Sequence, residues 1–152
     1  MTPTDGLTHC YWGHRDELTW LESSQRCESE QGTLVSILSA QENAFVLNLL
    51  DDANLFSMFD LNSRITLGGT DDKAGDDPTL AGDYRWVTGE PWDYDNWNNS
   101  GGGNEPDGEC VSCLPSNLGC HCSHRLTMGP SGRWYDRWEG EARRFVCEAL
   151  AR

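Results

Sequence analysis

The sequence predicts a single mixed α+β domain, and three observations lead to that prediction. Two helix starts carry capping sequences in the first third of the chain, and at least six short runs of β-branched and aromatic residues follow them. Between about residues 68 and 132 the chain is rich in Gly, Asp, Asn, Pro and Trp and shows little periodicity. Because 152 residues is a usual length for one domain with a proper core, we expect residues 1–152 to form one unit.

Both helices are predicted from their first residues. Thr19–Glu22 and Ser39–Glu42 match the capping box, in which a hydroxyl and a Glu side chain satisfy each other's backbone amides. The first helix is expected to end at Gly32. Each helix carries apolar or small residues at helical spacing, namely Trp20, Ser23 and Cys27 in the first, and Phe45, Val46, Leu49 and Leu50 in the second.

Short strands are predicted around residues 34–37, 65–67, 84–87, 110–111, 133–135 and 144–147. The long irregular segment lies among them. A loop of that length inside a compact domain is normally functional, or is held by ions and disulfides. We expect Trp86, Trp92 and Trp97 to anchor it by packing into the core.

The charge of the chain excludes some classes of partner. Its formal net charge is −14, which repels nucleic acid and anionic lipid surfaces. Two interpretations of the acidic excess stay open, namely simple solubility and binding of divalent cations, because acids cluster at 71–72, 76–77 and 105–109. No segment approaches the run of about 20 apolar residues that spans a membrane. Residues 1–6 lack the features of a signal peptide, so any leader is expected to be outside this chain.

Seven cysteines in 152 residues indicate an oxidising compartment, and therefore a secreted or extracellular protein. The odd number leaves at least one cysteine without a partner inside the chain. Cys10, close to the N-terminus, is expected to be that residue.

The last third of the chain carries candidate metal ligands. Pro106 lies between the carboxylates of Glu105 and Asp107, and another acid, Asp136, follows a Trp on a later strand. Carboxylate oxygens of this kind are the hard ligands that calcium prefers. None of the four histidines belongs to a recognisable arrangement with a nucleophile. The sequence therefore favours a binding module over an enzyme.

The order of these motifs resembles the C-type lectin-like domain over nearly the whole chain, from Cys10 to Glu148. The motifs that carry the resemblance are the Trp20–Cys27 helix, the 42–50 helix, Leu67-Gly68-Gly69-Thr70-Asp71, Trp86 to Trp97, Gly132-Arg133-Trp134-Tyr135-Asp136 and Phe145-Val146-Cys147-Glu148. The resemblance implies two helices that flank small antiparallel sheets, paired N- and C-terminal strands, and a long irregular loop for calcium and ligand.

The resemblance also implies a disulfide between Cys27 and Cys147. A second family disulfide starts at Cys110, but Trp138-Glu139 occupies the usual partner position. The insert instead carries three further cysteines, Cys113, Cys120 and Cys122. With Cys110 these allow two disulfides in any of three pairings. Four thiolates at this spacing also resemble a zinc site, with His121 and His124 nearby, but an extracellular setting favours disulfides.

In sugar-binding members of the family, a carboxylate triplet, a later Glu and an Asn-Asp pair hold one calcium ion, and sugar hydroxyls complete its coordination. Carried over to this chain, these ligands are Glu105 and Asp107, Glu109, and Asp136, with Tyr135 in place of the Asn. A second, structural calcium would use Asp71, with Asp76 or Asp77 as a candidate partner. A solvated acidic turn is the alternative for that second group.

Two functions follow from this interpretation. The first is calcium-dependent carbohydrate or glycoprotein binding through the long loop, with multivalent assembly expected because single lectin sites are weak. The second is a calcium-independent adhesion or protein-interaction domain on the same fold, which the hybrid Glu-Pro-Asp triplet and Tyr135 favour. A zinc-bearing module at Cys110–Cys122 is a third and weaker hypothesis.

Overall fold

A computed structural model describes residues 7–60, 63–71, 84–100, 105–106, 110–111, 121–138 and 140–151, with backbone alone at 110–111 and 121–123. The helices are α1 (Trp20–Ser29) and α2 (Ala40–Asp52). The strands are β1 (His9–Leu18), β2 (Thr33–Leu34), β3 (Ile65–Thr70), β4 (Arg85–Trp86), β5 (Cys110–Val111), β6 (His121–Met128), β7 (Trp134–Trp138) and β8 (Arg143–Leu150). No helix in this described part is long and apolar enough to cross a membrane.

The strands form a mixed sheet in the order β1-β8-β3-β6-β5, and β2, β4 and β7 pair with β8, β3 and β6 respectively. The first and last strands pair antiparallel from His9↔Leu150 onwards, as the resemblance implies. β3 and β8 meet as a parallel pair at Thr66↔Phe145, whereas the other pairings are antiparallel. This order brings the C-terminal end of β3 and strand β7 to opposite sides of β6.

Both predicted helices are present, and the cap of each has its own arrangement. Thr19 and Glu22 form the complete reciprocal capping box of α1. At α2, the Ser39 hydroxyl accepts the Glu42 amide, as expected. The buried Glu42 carboxylate, however, accepts bonds from the Leu38 amide at 2.8 Å and from the Tyr11 hydroxyl at 2.5 Å. The capping box of α2 is therefore only half formed, because Glu42 ties the helix to β1.

The disulfide predicted between α1 and the last strand is confirmed. Cys27 and Cys147 are bonded, with Cα atoms 5.6 Å apart, and both are fully buried with Leu34 and Phe145. The bond closes a loop of 120 residues. A loop of that length constrains the unfolded chain by about 4 to 5 kcal/mol on the loop-entropy model. Cys10 is exposed and is a free cysteine, as the sequence indicates.

The sequence prediction misses two strands, β1 and β6. β1 contains no Val, Ile or Thr, and it forms because it pairs along most of β8. β6 begins at His121, inside the region interpreted as irregular loop, and it pairs with both β3 and β7. Each strand therefore depends on tertiary pairing and not on local propensity.

A buried carboxylate on β8 connects that strand to β1 and to the segment after β2. Glu148 on β8 is 3% exposed, and it accepts the Ser36 amide at 2.6 Å and approaches His9 Nδ1 at 2.8 Å. Burial raises the pKa of Glu148 to about 7, while the Ser36 amide and His9 act to lower it and Glu90 raises it further. The folded protein consequently favours the protonated carboxyl relative to the unfolded chain.

We predict a pH dependence that Glu148→Gln removes. Because the folded pKa lies above the unfolded value of 4.5, the stabilisation is complete below pH 4.5 and is lost as the pH rises through about 7. The free energy of unfolding of the native chain should fall by up to about 3 kcal/mol across that window relative to the variant. Urea unfolding at several pH values measures this difference, with the exposed Asp93→Asn as control. Parallel pH profiles of the native chain and Glu148→Gln would contradict the prediction.

Candidate ligand and metal site

The loop segment that leads to the site is held alongside β7 by the backbone of Trp134. The Trp134 amide donates to the Asn96 carbonyl at 2.9 Å, and the Trp134 carbonyl accepts the Asn98 amide at 2.9 Å. Trp97 lies between them and forms a parallel β-bridge with Trp134. The start of β7 and residues 96–98 are therefore hydrogen-bonded to each other like two short strands of a sheet.

Side chains strengthen the same junction from the direction of α2. The buried Asn43 accepts the Trp134 indole N–H at 2.8 Å and donates to the Gly132 carbonyl at 3.1 Å. The Asn96 amide donates to the same carbonyl at 2.8 Å. Gly132 has φ of 78°, which favours glycine, and its approach to Leu47 leaves little room for a Cβ. Hydrogen bonds to the Gly132 carbonyl and the Trp134 indole thus connect α2, the turn before β7 and the loop.

Aromatic rings fill the space under the loop. Trp86 and Trp92 stack with centroids 4.4 Å apart, and Trp97 packs edge-on against Trp134 at 6.1 Å. Trp86 and Trp97 are buried and Trp92 is partly buried in the main core, so the prediction that these residues anchor the loop by core packing is confirmed. Edge and offset contacts of this kind stabilise by about 1 kcal/mol each beyond their buried area.

Glu105 is brought directly to β7. Its amide donates to the Asn98 carbonyl at 3.1 Å, and its Oε2 accepts the Asp136 amide at 3.2 Å. Its Oε1 lies 3.7 Å from the Arg137 guanidinium. The peptide bond that joins Glu105 to Pro106 is cis. Among the described residues, the predicted ligands Glu105 and Asp136 are therefore neighbours, as the sequence interpretation requires.

Three predicted metal ligands act on one buried hydroxyl, that of Tyr84. Burial is the largest cause that raises the pKa of Tyr84, and the carboxylates of Asp136, Asp71 and Glu105 follow in that order. Arg125 acts in the opposite direction. Asp136 and Asp71 are 0% and 1% exposed, and the Tyr84 hydroxyl is a buried donor with no hydrogen-bond partner in the described part of the chain.

The carboxylate oxygens of Asp71, Glu105 and Asp136 are of the chemical type that a hard divalent cation binds, but these three groups do not all lie within 4.8 Å of one another. Calcium takes six to eight oxygen ligands and readily includes carboxylates. Among the described residues, however, the one group of three metal-binding side chains within 4.8 Å is His14, Glu30 and Cys147. The Cys147 sulfur is in the disulfide, so that group is not a metal site.

Tyr135 faces away from this cluster. Side chains alternate along a strand, and β7 buries Trp134 and Asp136 while Tyr135 and Arg137 remain half-buried. The Tyr135 ring lies under the guanidinium of Arg64, 3.8 Å from the ring centroid, and 5.2 Å from that of Arg137. The charges of Glu105, Asp136 and Asp71 therefore act on Tyr84, whereas Tyr135 is associated with arginines.

Other predicted residues lie outside the described part of the chain. These are Asp76, Asp77, Asp107, Glu109, Cys113 and Cys120. For Cys110 and Cys122 the backbone is described, and the two residues face each other in the β5–β6 register. The alternative of zinc at this cluster stays a hypothesis.

Two residues of the site were not identified from the sequence. Tyr84 is the first residue of the predicted strand 84–87, but only the fold exposes its hydroxyl to the charges of acids from three separate segments. Arg137 follows Asp136 directly, and its proximity to Glu105 depends on the loop returning to β7. A basic residue next to a proposed cation ligand is a sequence signal that identifies Arg137 as a candidate.

Comparison with known proteins identifies the class. The sequence profile described as the Lectin C-type domain matches residues 16–149, so the chain belongs to this family of ligand-binding domains. It is 28% identical to mouse asialoglycoprotein receptor 2 over 146 residues, which are 91% of this chain and 38% of the receptor. It is 30% identical to mouse lithostathine-1 over 113 residues, or 74% of this chain and 61% of that protein. The chain thus spans less than half the length of the receptor relatives.

Solved structures show the same fold. The mouse scavenger receptor C-type lectin carbohydrate-recognition domain superposes with a TM-score of 0.69 at 20% identity, covering 95% of this chain and 90% of that one. A calcium-independent type II antifreeze protein superposes with a TM-score of 0.66 at 19% identity, covering 100% and 96%. Because proteins of this fold include one that is calcium-independent, the fold alone does not determine whether an ion is used.

We predict which cysteines pair in the insert. Opposed residues of antiparallel strands have Cα separations of about 4.5 to 5.5 Å, a range that a disulfide spans. The β5–β6 register therefore favours Cys110–Cys122 over the other partners of Cys110, and it leaves Cys113 for Cys120. Peptide mapping of non-reduced, alkylated protein should recover these pairs together with Cys27–Cys147. Recovery of a Cys110–Cys113 or Cys110–Cys120 peptide, or of four free thiols with bound zinc, would overturn this pairing.

Proposed function

We propose that this chain is an extracellular, non-enzymatic module that binds carbohydrate in a calcium-dependent manner through its long loop. The observation that supports the proposal is that the Glu105 carboxylate accepts the Asp136 amide at 3.2 Å, while the charges of Asp136, Asp71 and Glu105 all act on the buried Tyr84 hydroxyl. Buried carboxylates at this density are compensated when a divalent cation joins them. The mouse scavenger receptor domain of the same fold is a carbohydrate-recognition domain.

In this proposal the residues have distinct roles. Glu105, Asp107, Glu109 and Asp136 hold the ion that contacts the sugar, and Asp71 with Asp76 holds a second, structural ion. When bound, calcium supplies open coordination positions that neutral hydroxyls of a sugar occupy. Tyr135, which the sequence offered as a ligand, has no role in this site, because its ring packs against Arg64 and Arg137 on the other face of β7. Weak single sites make oligomeric presentation an expected part of function.

The first test is the melting temperature in millimolar calcium compared with chelator. Calcium at about 100 times its dissociation constant stabilises the fold by roughly 2.7 kcal/mol, which is a rise of several degrees. Glu105→Gln and Asp136→Asn should lose this rise, and they should also lose calcium-dependent signals on a glycan array. Asp95→Asn is the matched control, because Asp95 is an exposed acid of the same loop. Equal melting temperatures in calcium and chelator would contradict the proposal.

A second candidate is a calcium-independent adhesion or protein-binding domain, and one contact favours it. The Arg137 guanidinium lies 3.7 Å from Glu105 Oε1 and donates to the Asp136 carbonyl at 2.5 Å. The guanidinium of Arg137 beside Glu105 then supplies part of the positive charge that calcium otherwise provides. The partly buried aromatic residues of the loop, Trp92 and Tyr94, would then contact a protein surface.

Arg137→Gln distinguishes the two candidates. If Arg137 replaces calcium, the variant should lose about 1 kcal/mol of stability in chelator and should gain a larger calcium response than the native chain. Calorimetric melting with and without calcium measures both quantities. Arg26→Gln, an exposed ion-pair residue on α1, is the control. An unchanged calcium response in Arg137→Gln would show that the arginine does not replace the ion.

A further inference from the structure

A small polar cavity lies on the other side of Tyr135 from the acidic cluster. Its volume is about 320 Å³, which is within the usual range for small-molecule sites. It opens between the loop after α2, the residues before β3, and the start of β8. Three guanidiniums, from Arg64, Arg143 and Arg144, line it together with the hydroxyls of Ser57 and Ser63.

The lining of the cavity contains three arginines and two acids, a balance that differs from the strongly acidic chain as a whole. Burial lowers the pKa of Arg64, and the neighbouring charges of Arg137 and Arg143 lower it further, while Tyr135 and Glu105 raise it. Two acids, Glu17 and Asp60, also line the cavity and offset part of this charge. The positive charges of neighbouring guanidiniums repel one another, and a bound anion lowers this repulsion.

Arg143 and Arg144 carry more hydrogen-bond donors than there are acceptors for them among the described residues. Arg144 donates from Nη1 to the Leu55 carbonyl at 2.8 Å, and Arg143 pairs through Nη2 with Glu141. The Nε–H groups of Arg143 and Arg144 are buried and have no partner among the described residues. A guanidinium carries five donors in a fork that matches a carboxylate or sulfate group in bidentate geometry.

An exposed aromatic residue belongs to the loop that borders the same cavity. Phe59 is 99% exposed and lies in sequence between Ser57 and Asp60, both of which line the cavity. Its neighbour Met58 is 89% exposed. The face of an aromatic ring carries partial negative charge and attracts the C–H edges of an apolar or saccharide surface. An anion with a ring attached satisfies both features.

We propose that this cavity is a second binding site, separate from the calcium loop, for the acidic group of a saccharide such as a hexuronic acid. Arg143 and Arg144 hold the carboxylate, Ser57 and Ser63 contact adjoining oxygens, and Phe59 packs against the sugar ring. The site needs no calcium. The proposal therefore does not depend on the function assigned to the loop.

The test follows the arginine Nε–H resonances of the whole chain by NMR in chelator, so that failure of the calcium site does not affect it. Arg143→Lys and Arg144→Lys each remove one resonance and so assign both. D-glucuronate should shift these two resonances saturably, with an affinity at least roughly tenfold above that for D-glucose, and added salt should weaken the effect. Acetate and inorganic sulfate, which lack the sugar ring, should bind more weakly than glucuronate.

Variants separate the two parts of the site. Arg143→Lys/Arg144→Lys keeps the charge but loses the fork, and it should lower the glucuronate affinity about tenfold, whereas Arg26→Lys should not. Phe59→Ala should weaken glucuronate binding and leave acetate binding unchanged. Absence of a saturable shift, or equal affinities for glucuronate, glucose and acetate, would overturn the proposal. Unchanged melting temperatures of the variants in chelator confirm that they are folded.

Discussion

The candidate site depends on the pair of hydrogen bonds that the Trp134 backbone makes with Asn96 and Asn98. They join a loop with little regular structure to the strand that carries Asp136. The position of Glu105 also depends on that junction, because the Asn98 carbonyl accepts the Glu105 amide. Asn43 extends the junction to α2 through the indole of Trp134. Buried, mutually satisfied polar groups of this kind fix one geometry, because breaking one of them leaves another unpaired in a low-dielectric interior.

The position of the acids follows from the same constraint. Asp71 directly follows β3, Asp136 lies inside β7 and Glu105 comes from the loop, so acids of three separate segments act on Tyr84. Hydrophobic burial of Trp86, Trp97 and Trp134 brings these segments together, and the acids are carried with them. The stability of the ring cluster thus offsets the electrostatic cost of the acidic one. A cation lowers that cost further, which is why ion binding and stability are coupled at such a site.

The sequence predicts those parts of the fold that have local signals. Capping boxes locate α1 and α2, and the motif order correctly implies the Cys27–Cys147 bond and the pairing of β1 with β8. Local residue signals, in contrast, do not locate β1 or β6, because each of these strands depends on pairing with partners that are distant in sequence. The sequence also does not predict that Glu42 turns from its own helix cap to Tyr11, since that choice depends on β1 lying beside α2. The candidate ligands Glu105, Asp71 and Asp136 are found from their motifs, but Tyr84 and Arg137 require the tertiary structure.

Tyr135 connects the two charged regions of the molecule. At this position an Asn would contribute an amide to an ion and a sugar, whereas the phenol ring packs against two guanidiniums instead. The ring face attracts cations and keeps Arg64 and Arg137 close without a carboxylate between them. One consequence is that Arg137 lies beside Glu105, where it competes with an added ion for the same negative charge. Another is that Arg64 is held at the wall of the basic cavity. Tyr135, one of the departures from the sugar-ligand pattern, therefore also holds the arginines beside β7, and its ring connects the two proposed sites.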